Sequence, residues 1–241
     1  MKAVAITDRG LVRPKNEDTV YCSVDKVGNL PNLFVVADGM GGANAGEYAS
    51  AFAMSEVISK IRNDNNRGEH LSVIRDAIES ANRDLYADAC RNAGHYGCGT
   101  TIVAAVVEDD TVYVANVGDS RLYIIGASIR QITHDHSYVE EMVKQGRMVR
   151  GSRDYLSKKN IITRAVGSSE DIEIDFFEEH VSSGETILLC TDGLSNMLDD
   201  DTIFRIVTKA ASVEEAAQKL VEAANSRGGR DNITVVVVSE L

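Results

Sequence analysis

The stretch Leu33-Phe34-Val35-Val36-Ala37-Asp38-Gly39-Met40-Gly41-Gly42 decides how this chain is read. An unbroken apolar run stops at an acid and opens at once into glycines. Short apolar runs with turn-like boundaries read as strands. The pattern recurs in both directions, at Val4–Thr7, Thr19–Val24, Thr101–Val107, Thr111–Val117, Leu122–Ile125, Ile187–Cys190 and Ile233–Val238. Glu108-Asp109-Asp110 reads as a hairpin connection between two of them. With only Pro14 and Pro31 present, punctuation falls to the 19 glycines.

Helical periodicity covers Ala45–Ile61, Leu71–Ala89, Tyr138–Lys144 and Thr202–Ala224, the last broken near Ala211-Ser212, where Ser212 can cap a second helix. Strands therefore come in blocks separated by helix pairs. That order is wrong for regular βαβ alternation and right for antiparallel sheets covered by helices. From Gly146 to Asp171 no clear period is present, and the segment reads as a surface excursion.

The 241 residues suit one domain, and a hydrophobic fraction of 44% is enough for a sizeable core. With 25 Lys and Arg against 37 Asp and Glu, the net charge of −12 opposes a nucleic-acid surface. No apolar run approaches the roughly 18 residues of a spanning helix, and the run after Met1-Lys2 is too short for a signal peptide. The expectation is a cytoplasmic protein with no membrane partner. Cys22, Cys90, Cys98 and Cys190 show no zinc spacing and read as buried, reduced thiols.

The acids carry the chemistry. Asp38 and Asp192 each end an apolar run before a glycine, Asp119 follows one through Gly118, and Asp231 precedes the run at Ile233. A single Asp-Gly is more simply a turn. Four acids at strand mouths, one with a glycine-rich loop, also suit a hard divalent cation with oxygen ligands, although spacing does not show that they converge. Arg13-Pro14-Lys15-Asn16-Glu17-Asp18 places an Arg, suited to gripping phosphate, beside two more acids; alone it reads as a polar turn.

Six motifs then occur in order: Arg13-x-x-Asn16-Glu17-Asp18, Val36–Gly42, Gly99-Thr100-Thr101, Val117-Gly118-Asp119-Ser120-Arg121, Thr191-Asp192-Gly193-Leu194 and Gly229-Arg230-Asp231-Asn232-Ile233-Thr234. Together, over Thr7 to Val238, they resemble the metal-dependent protein phosphatases of the 2C type, and Met40 resembles their bacterial branch. The resemblance implies an α+β fold: a four-layer α-β-β-α sandwich, two antiparallel sheets flanked by helix pairs, as a single catalytic domain over 1–241 with a flap at about 137–171. It implies two Mn²⁺ or Mg²⁺ ions and a third, weaker one. Asp38 would bridge the two ions, Asp192 and Asp231 would complete one, and the Gly39 carbonyl would serve the other. Glu17 and Asp18 would be ligands or water-mediated partners of that second ion. Asp119 would share the third with Asp192, and Arg13 would hold the substrate phosphate.

The implied activity is hydrolysis of protein phosphoserine and phosphothreonine by metal-activated water, opposing a bacterial Ser/Thr kinase, in a monomer. The alternatives are a phosphoprotein-binding pseudophosphatase, against which the intact acids argue, and a hydrolase of small phosphoesters. Three positions depart from the family pattern. Met40 cannot donate a proton, Asn196 stands where many eukaryotic relatives have an acid, and Leu156-Ser157 stands where many members have His-Pro in the flap. His134 and His136 form an HxH pair, read as structural rather than metal-binding. Ser120 and Ser195 lack a nucleophile elbow. Lys144, Arg147, Arg150, Arg153, Lys158 and Lys159 make the flap region basic, either to steer acidic substrates or simply as a solvated loop.

Overall fold

The computed structural model describes residues 1–42, 45–64 and 68–240; residues 43 and 44 of the glycine-rich loop lie outside them. The strands are β1 (Lys2–Asp8), β2 (Asp18–Ser23), β3 (Leu33–Met40), β4 (Gly99–Thr100), β5 (Ile102–Glu108), β6 (Thr111–Val117), β7 (Arg121–Ile125), β8 (Ile129–Gln131), β9 (Asp175–His180), β10 (Thr186–Cys190) and β11 (Ile233–Ser239). The helices are α1 (Ala45–Asn63), α2 (His70–Arg91), α3 (Tyr138–Lys144), α4 (Arg153–Lys158), α5 (Asp192–Ser195), α6 (Asp200–Lys209) and α7 (Val213–Ser226).

One antiparallel sheet runs β1-β11-β10-β7-β8 and the other β2-β3-β5-β6-β9, with β4 paired to β3. Alternation along the strands sorts side chains into three apolar layers. Phe34 and Val36 of β3 meet Ile187 and Leu189 of β10 and Val236 and Val238 of β11 between the sheets. Val35 and Ala37 face the other way, onto Ala49, Ala53 and Val57 of α1 and Ile74 and Ile78 of α2. Val235 and Val237 of β11 face Ala217, Leu220 and Ala224 of α7. Central strands covered on both faces have no polar side to show, which explains their continuous apolar runs. The result is the expected four-layer sandwich.

The break near Ala211-Ser212 is real: Ser212 caps α7, its hydroxyl accepting from the Glu215 N–H at 3.2 Å. Asp109, at φ 53°, turns the two-residue connection from β5 to β6. Two strands had no apolar signature, β8 and β9. Both are sheet edges, where charged residues such as Arg130, Glu178 and Glu179 blunt further pairing. The excursion after Gly146 holds a short helix, α4, capped by Ser152. The cysteine reading needs correction: Cys98 and Cys190 are buried, but Cys22 is half-buried and Cys90 is exposed. Among the described residues no helix is long and apolar enough to cross a membrane.

Candidate metal centre

Strand pairing assembles the acids. Asp18, first residue of β2, lies opposite Asp38 near the end of β3. Asp192 follows β10 at the start of α5, and Asp231 precedes β11, the neighbour of β10. Asp119 sits in the turn from β6 to β7, where Gly118 takes φ 105°. The backbone around Asp38 is held on both sides. Its N–H donates to the Thr101 hydroxyl at 2.9 Å, and its carbonyl accepts from the Thr101 N–H and the Thr100 hydroxyl, each at 2.9 Å.

Gly39 is required by close approach. A Cβ there would lie 2.0 Å from the Gly46 carbonyl oxygen and 2.6 Å from that of Glu17. A Cβ on Gly46 would in turn meet Glu17 Oε1 at 2.7 Å and the Gly39 carbonyl oxygen at 2.8 Å, so these two oxygens share one corner. Ser50 of α1 fixes Glu17 from below, donating to its carbonyl at 2.6 Å.

Electrostatics shows what the cluster lacks. Asp18 and Asp119 are each 8% exposed; Asp38 and Asp192, closely surrounded by protein, keep a partial opening to solvent. Burial lifts the Asp18 carboxyl to about 7, with the charges of Asp192 and Asp231 adding, against hydrogen bonds from Thr234 at 2.7 Å and Thr191 at 2.8 Å. Burial also lifts Asp192 to about 6, with Asp231 adding, offset by the charges of Lys159 and Arg13. Asp38 is pushed well above the carboxylate range by burial and then by Asp18, Asp192, Asp119 and Asp231. Asp119 is raised by burial, then by Asp192 and Asp135.

Two buried oxygens, Asp18 Oδ1 and Asp192 Oδ1, have no hydrogen-bond partner. Mutually repelling carboxylates with orphaned lone pairs are costly unless a cation joins them. Every donor is oxygen, so the set fits a hard divalent ion such as Mg²⁺ or Mn²⁺. Among the described residues no three His, Cys, Asp or Glu side chains already close into a finished cage. Several lone pairs are taken by the chain's own donors: Thr191 and Thr234 at Asp18, Asn196 at Asp192 and Arg13 at Asp231.

Arg13 reaches the cluster from the loop between β1 and β2, its Nη2 on Asp231 Oδ2 at 2.8 Å with 47% of its side chain exposed. The residue that shapes this loop, Asn232, escaped the sequence reading as a functional part. Its Oδ1 accepts from the Glu17 N–H, and its Nδ2 donates to the carbonyls of Arg9 and Lys15, all at 2.8 Å. Its only signal was a place beside Asp231 in a motif. Thr191 and Thr234, which bind Asp18, had the same weak signal.

Other candidates take structural roles. His134 stacks on Phe177, and His136 accepts from the Gly118 N–H at 3.1 Å through Nδ1 while its Nε2 lies 3.1 Å from Asp175. Ser120 bonds the Thr101 hydroxyl at 2.8 Å, and Arg121 is forked onto Asp135 at 2.6 Å. In the flap, Arg150 is committed to Glu140, and Lys158 sits over the Tyr138 ring.

Acids of two sheets gathered at one end of an α-β-β-α sandwich, with an arginine at the mouth, define the class of cation-dependent phosphoester hydrolases. The protein phosphatase 2C family pattern matches residues 14–225. The serine/threonine phosphatase stp of Listeria monocytogenes is 36% identical, over 99% of this chain and 95% of its own. Protein phosphatase PhpP of Streptococcus pneumoniae is 35% identical, over 99% and 97%. The crystal structure of Stp1 from Staphylococcus aureus superposes with a TM-score of 0.92 at 34% identity, over 100% of this chain and 95% of that one. The catalytic domain of the phosphatase PstP in complex with two manganese ions gives 0.84 at 32% identity, over 98% and 96%. The chain belongs to the metal-dependent protein phosphatase 2C family and is a protein serine/threonine phosphatase.

Proposed function

We propose that the carboxylate cluster is the catalytic centre, within one catalytic domain spanning 1–241 whose flap covers about 137–171. Asp38, Asp192, Asp231, Glu17, Asp18 and the Gly39 carbonyl would hold two Mn²⁺ or Mg²⁺ ions, and Asp119 with Asp192 a third. The observation that carries this is the pair of buried, orphaned oxygens, Asp18 Oδ1 and Asp192 Oδ1, among acids that raise one another's pKa. Bound there, the cations lower the pKa of water and offset charge on phosphoryl oxygens.

The chain's own groups do the rest. Arg13, tied to Asp231 by one nitrogen, keeps further N–H donors free for the substrate phosphate and stabilises its equatorial oxygens in the transition state. Asn232 holds the backbone that carries Arg13 at a fixed distance from the acids. Thr191 and Thr234 both hold Asp18 by Oδ2, which leaves the buried Oδ1 without a hydrogen bond and available to a cation. Met40 gives no proton to the leaving serine or threonine oxygen. The substrates would be proteins phosphorylated by a bacterial Ser/Thr kinase in the same pathway, met by a monomer in the cytoplasm.

The test is phosphate release from a phosphothreonine peptide with Mn²⁺, with Mg²⁺ and with a chelator, beside Asp38→Ala and Asp192→Asn. Metal-dependent release lost in both variants is the expected result. Folded, metal-loaded protein that binds the peptide without turnover would overturn it.

A further inference from the structure

The amide at Asn196, a departure from the family pattern, meets in space a lysine that follows the altered Leu156-Ser157 segment of the flap. Lys159 follows α4 as its C-cap residue, and its Nζ donates to Asn196 Oδ1 at 2.8 Å. Asn196 Nδ2 donates in turn to Asp192 Oδ2 at 2.8 Å, and its backbone N–H to the Asp192 carbonyl at 2.7 Å. An ammonium can only donate and a carboxylate oxygen can only accept, so the amide between them has a single orientation. The chain of contacts borders a cavity of about 160 Å³ lined by Asp119, Arg121, Asp135, Lys159, Asp192 and Asn196.

The second half of the flap is anchored to the body, with Gly167 N–H on Asn82 Oδ1 at 2.7 Å and Arg164 on Asp175 at 2.9 Å, whereas the side chains of its first half, 138–160, otherwise bond among themselves. Tyr155 donates to Glu140 at 2.6 Å, Arg150 pairs with Glu140, and Lys158 lies 5.6 Å from the Tyr138 ring centroid. Among the described residues, the bond from Lys159 is the one side-chain hydrogen bond from residues 138–160 to the β10–α5 side. The charges facing this ammonium are of both signs: Asp192 draws it in, while Arg121 and Arg230 push it away. A cation that satisfied Asp192 would remove the attraction and leave the repulsion.

We propose that Lys159 is a positioning residue that tethers the flap to the carboxylate cluster through Asn196, so that its ammonium and a divalent cation compete for Asp192. The proposal rests on the cation-binding reading of that cluster. Competition is reciprocal: cation binding loosens the flap, and loosening the flap tightens cation binding. With one charge at a half-buried distance from Asp192, the expected effect is about three- to tenfold in the affinity of the weakest-bound Mn²⁺.

The experiment measures Mn²⁺ binding by titration calorimetry, and flap cleavage by an Arg-specific protease at Arg147, Arg150 and Arg153, in full-length protein. In the wild type, Mn²⁺ should speed flap cleavage several-fold over chelated protein. Lys159→Met should cleave fast with or without Mn²⁺ and bind the weakest Mn²⁺ more tightly; Lys159→Arg should restore wild-type behaviour in both assays. Asn196→Ala, which cuts the tether at its other joint, should also free the flap in chelator. Unchanged Mn²⁺ affinity in Lys159→Met, or flap cleavage indifferent to Mn²⁺ in the wild type, overturns the tether. Wild-type protein that binds no Mn²⁺ and hydrolyses no aryl phosphate overturns the cation reading as well, so the two failures are told apart.

Discussion

Replacing Asn232 by Ala tests whether the Arg13 loop is held by one side chain. Asn232 is 3% exposed and makes three hydrogen bonds at 2.8 Å, one from the Glu17 N–H and two to the carbonyls of Arg9 and Lys15. Each contributes about 1 kcal/mol net, and the groups left unpaired add a desolvation cost, so the loss should be about 2–4 kcal/mol. For a chain of this size that lowers the melting midpoint by roughly 10 °C. The loop between β1 and β2 also carries Arg13 and ends at Glu17, so loosening it displaces both the phosphate grip and one acid. Misplacement of this kind costs about 10- to 100-fold in kcat/KM toward a phosphopeptide. Urea denaturation of the Mn²⁺-loaded protein gives the first number and steady-state kinetics the second. A loss below about 1 kcal/mol with unchanged kinetics would refute the reasoning, because these hydrogen bonds would then be replaceable by water.

Gly39→Ala should abolish activity, since its Cβ would lie 2.0 Å from the Gly46 carbonyl oxygen and force that corner of the cluster apart; activity within twofold of wild type would count against it. Chelation should lower the melting midpoint, because a cation that binds only the folded cluster stabilises it by about 3 kcal/mol at 100 times its Kd, read by calorimetry with and without Mn²⁺. Burial works to raise the Asp175 pKa, but the hydrogen bond from His136 and the charge and hydrogen bond of Arg164 outweigh it and hold it below the usual range. A depressed carboxyl stabilises the fold above its unfolded pKa and loses that contribution as pH falls through the folded value. Asp175→Asn should therefore flatten the stability loss seen as pH falls below about 4, measured by urea midpoints across the acid range.

The fold was legible where both faces of a strand are covered. Leu33–Ala37 and Val235–Val238 had to be continuous apolar runs, because one face packs on helices and the other on the opposite sheet. Edge strands carry no such demand. The Asp175–His180 strand needs only one apolar face, and its charges hid it. In the flap, Tyr138–Lys144 was readable as a helix, but the segment after Gly146 was not, because Arg153–Lys158 buries nothing and no apolar period marks it.

The site was legible residue by residue but not as a site, and antiparallel pairing explains why. In an antiparallel pair the end of one strand lies beside the start of its neighbour. Asp38, near the end of β3, therefore faces the Asp18 that begins β2, and the Asp192 after β10 comes to the Asp231 before β11. Each sheet thus supplies a pair of acids at one of its ends. Stacking the sheets with those ends together makes one cluster of two pairs; stacking them with those ends apart would leave two ordinary sets of turn residues. The cross-sheet bonds from Thr191 and Thr234 to Asp18 fix the first arrangement. Those two hydroxyls join residues 173 and 216 positions apart in the chain, so no local spacing could have revealed them.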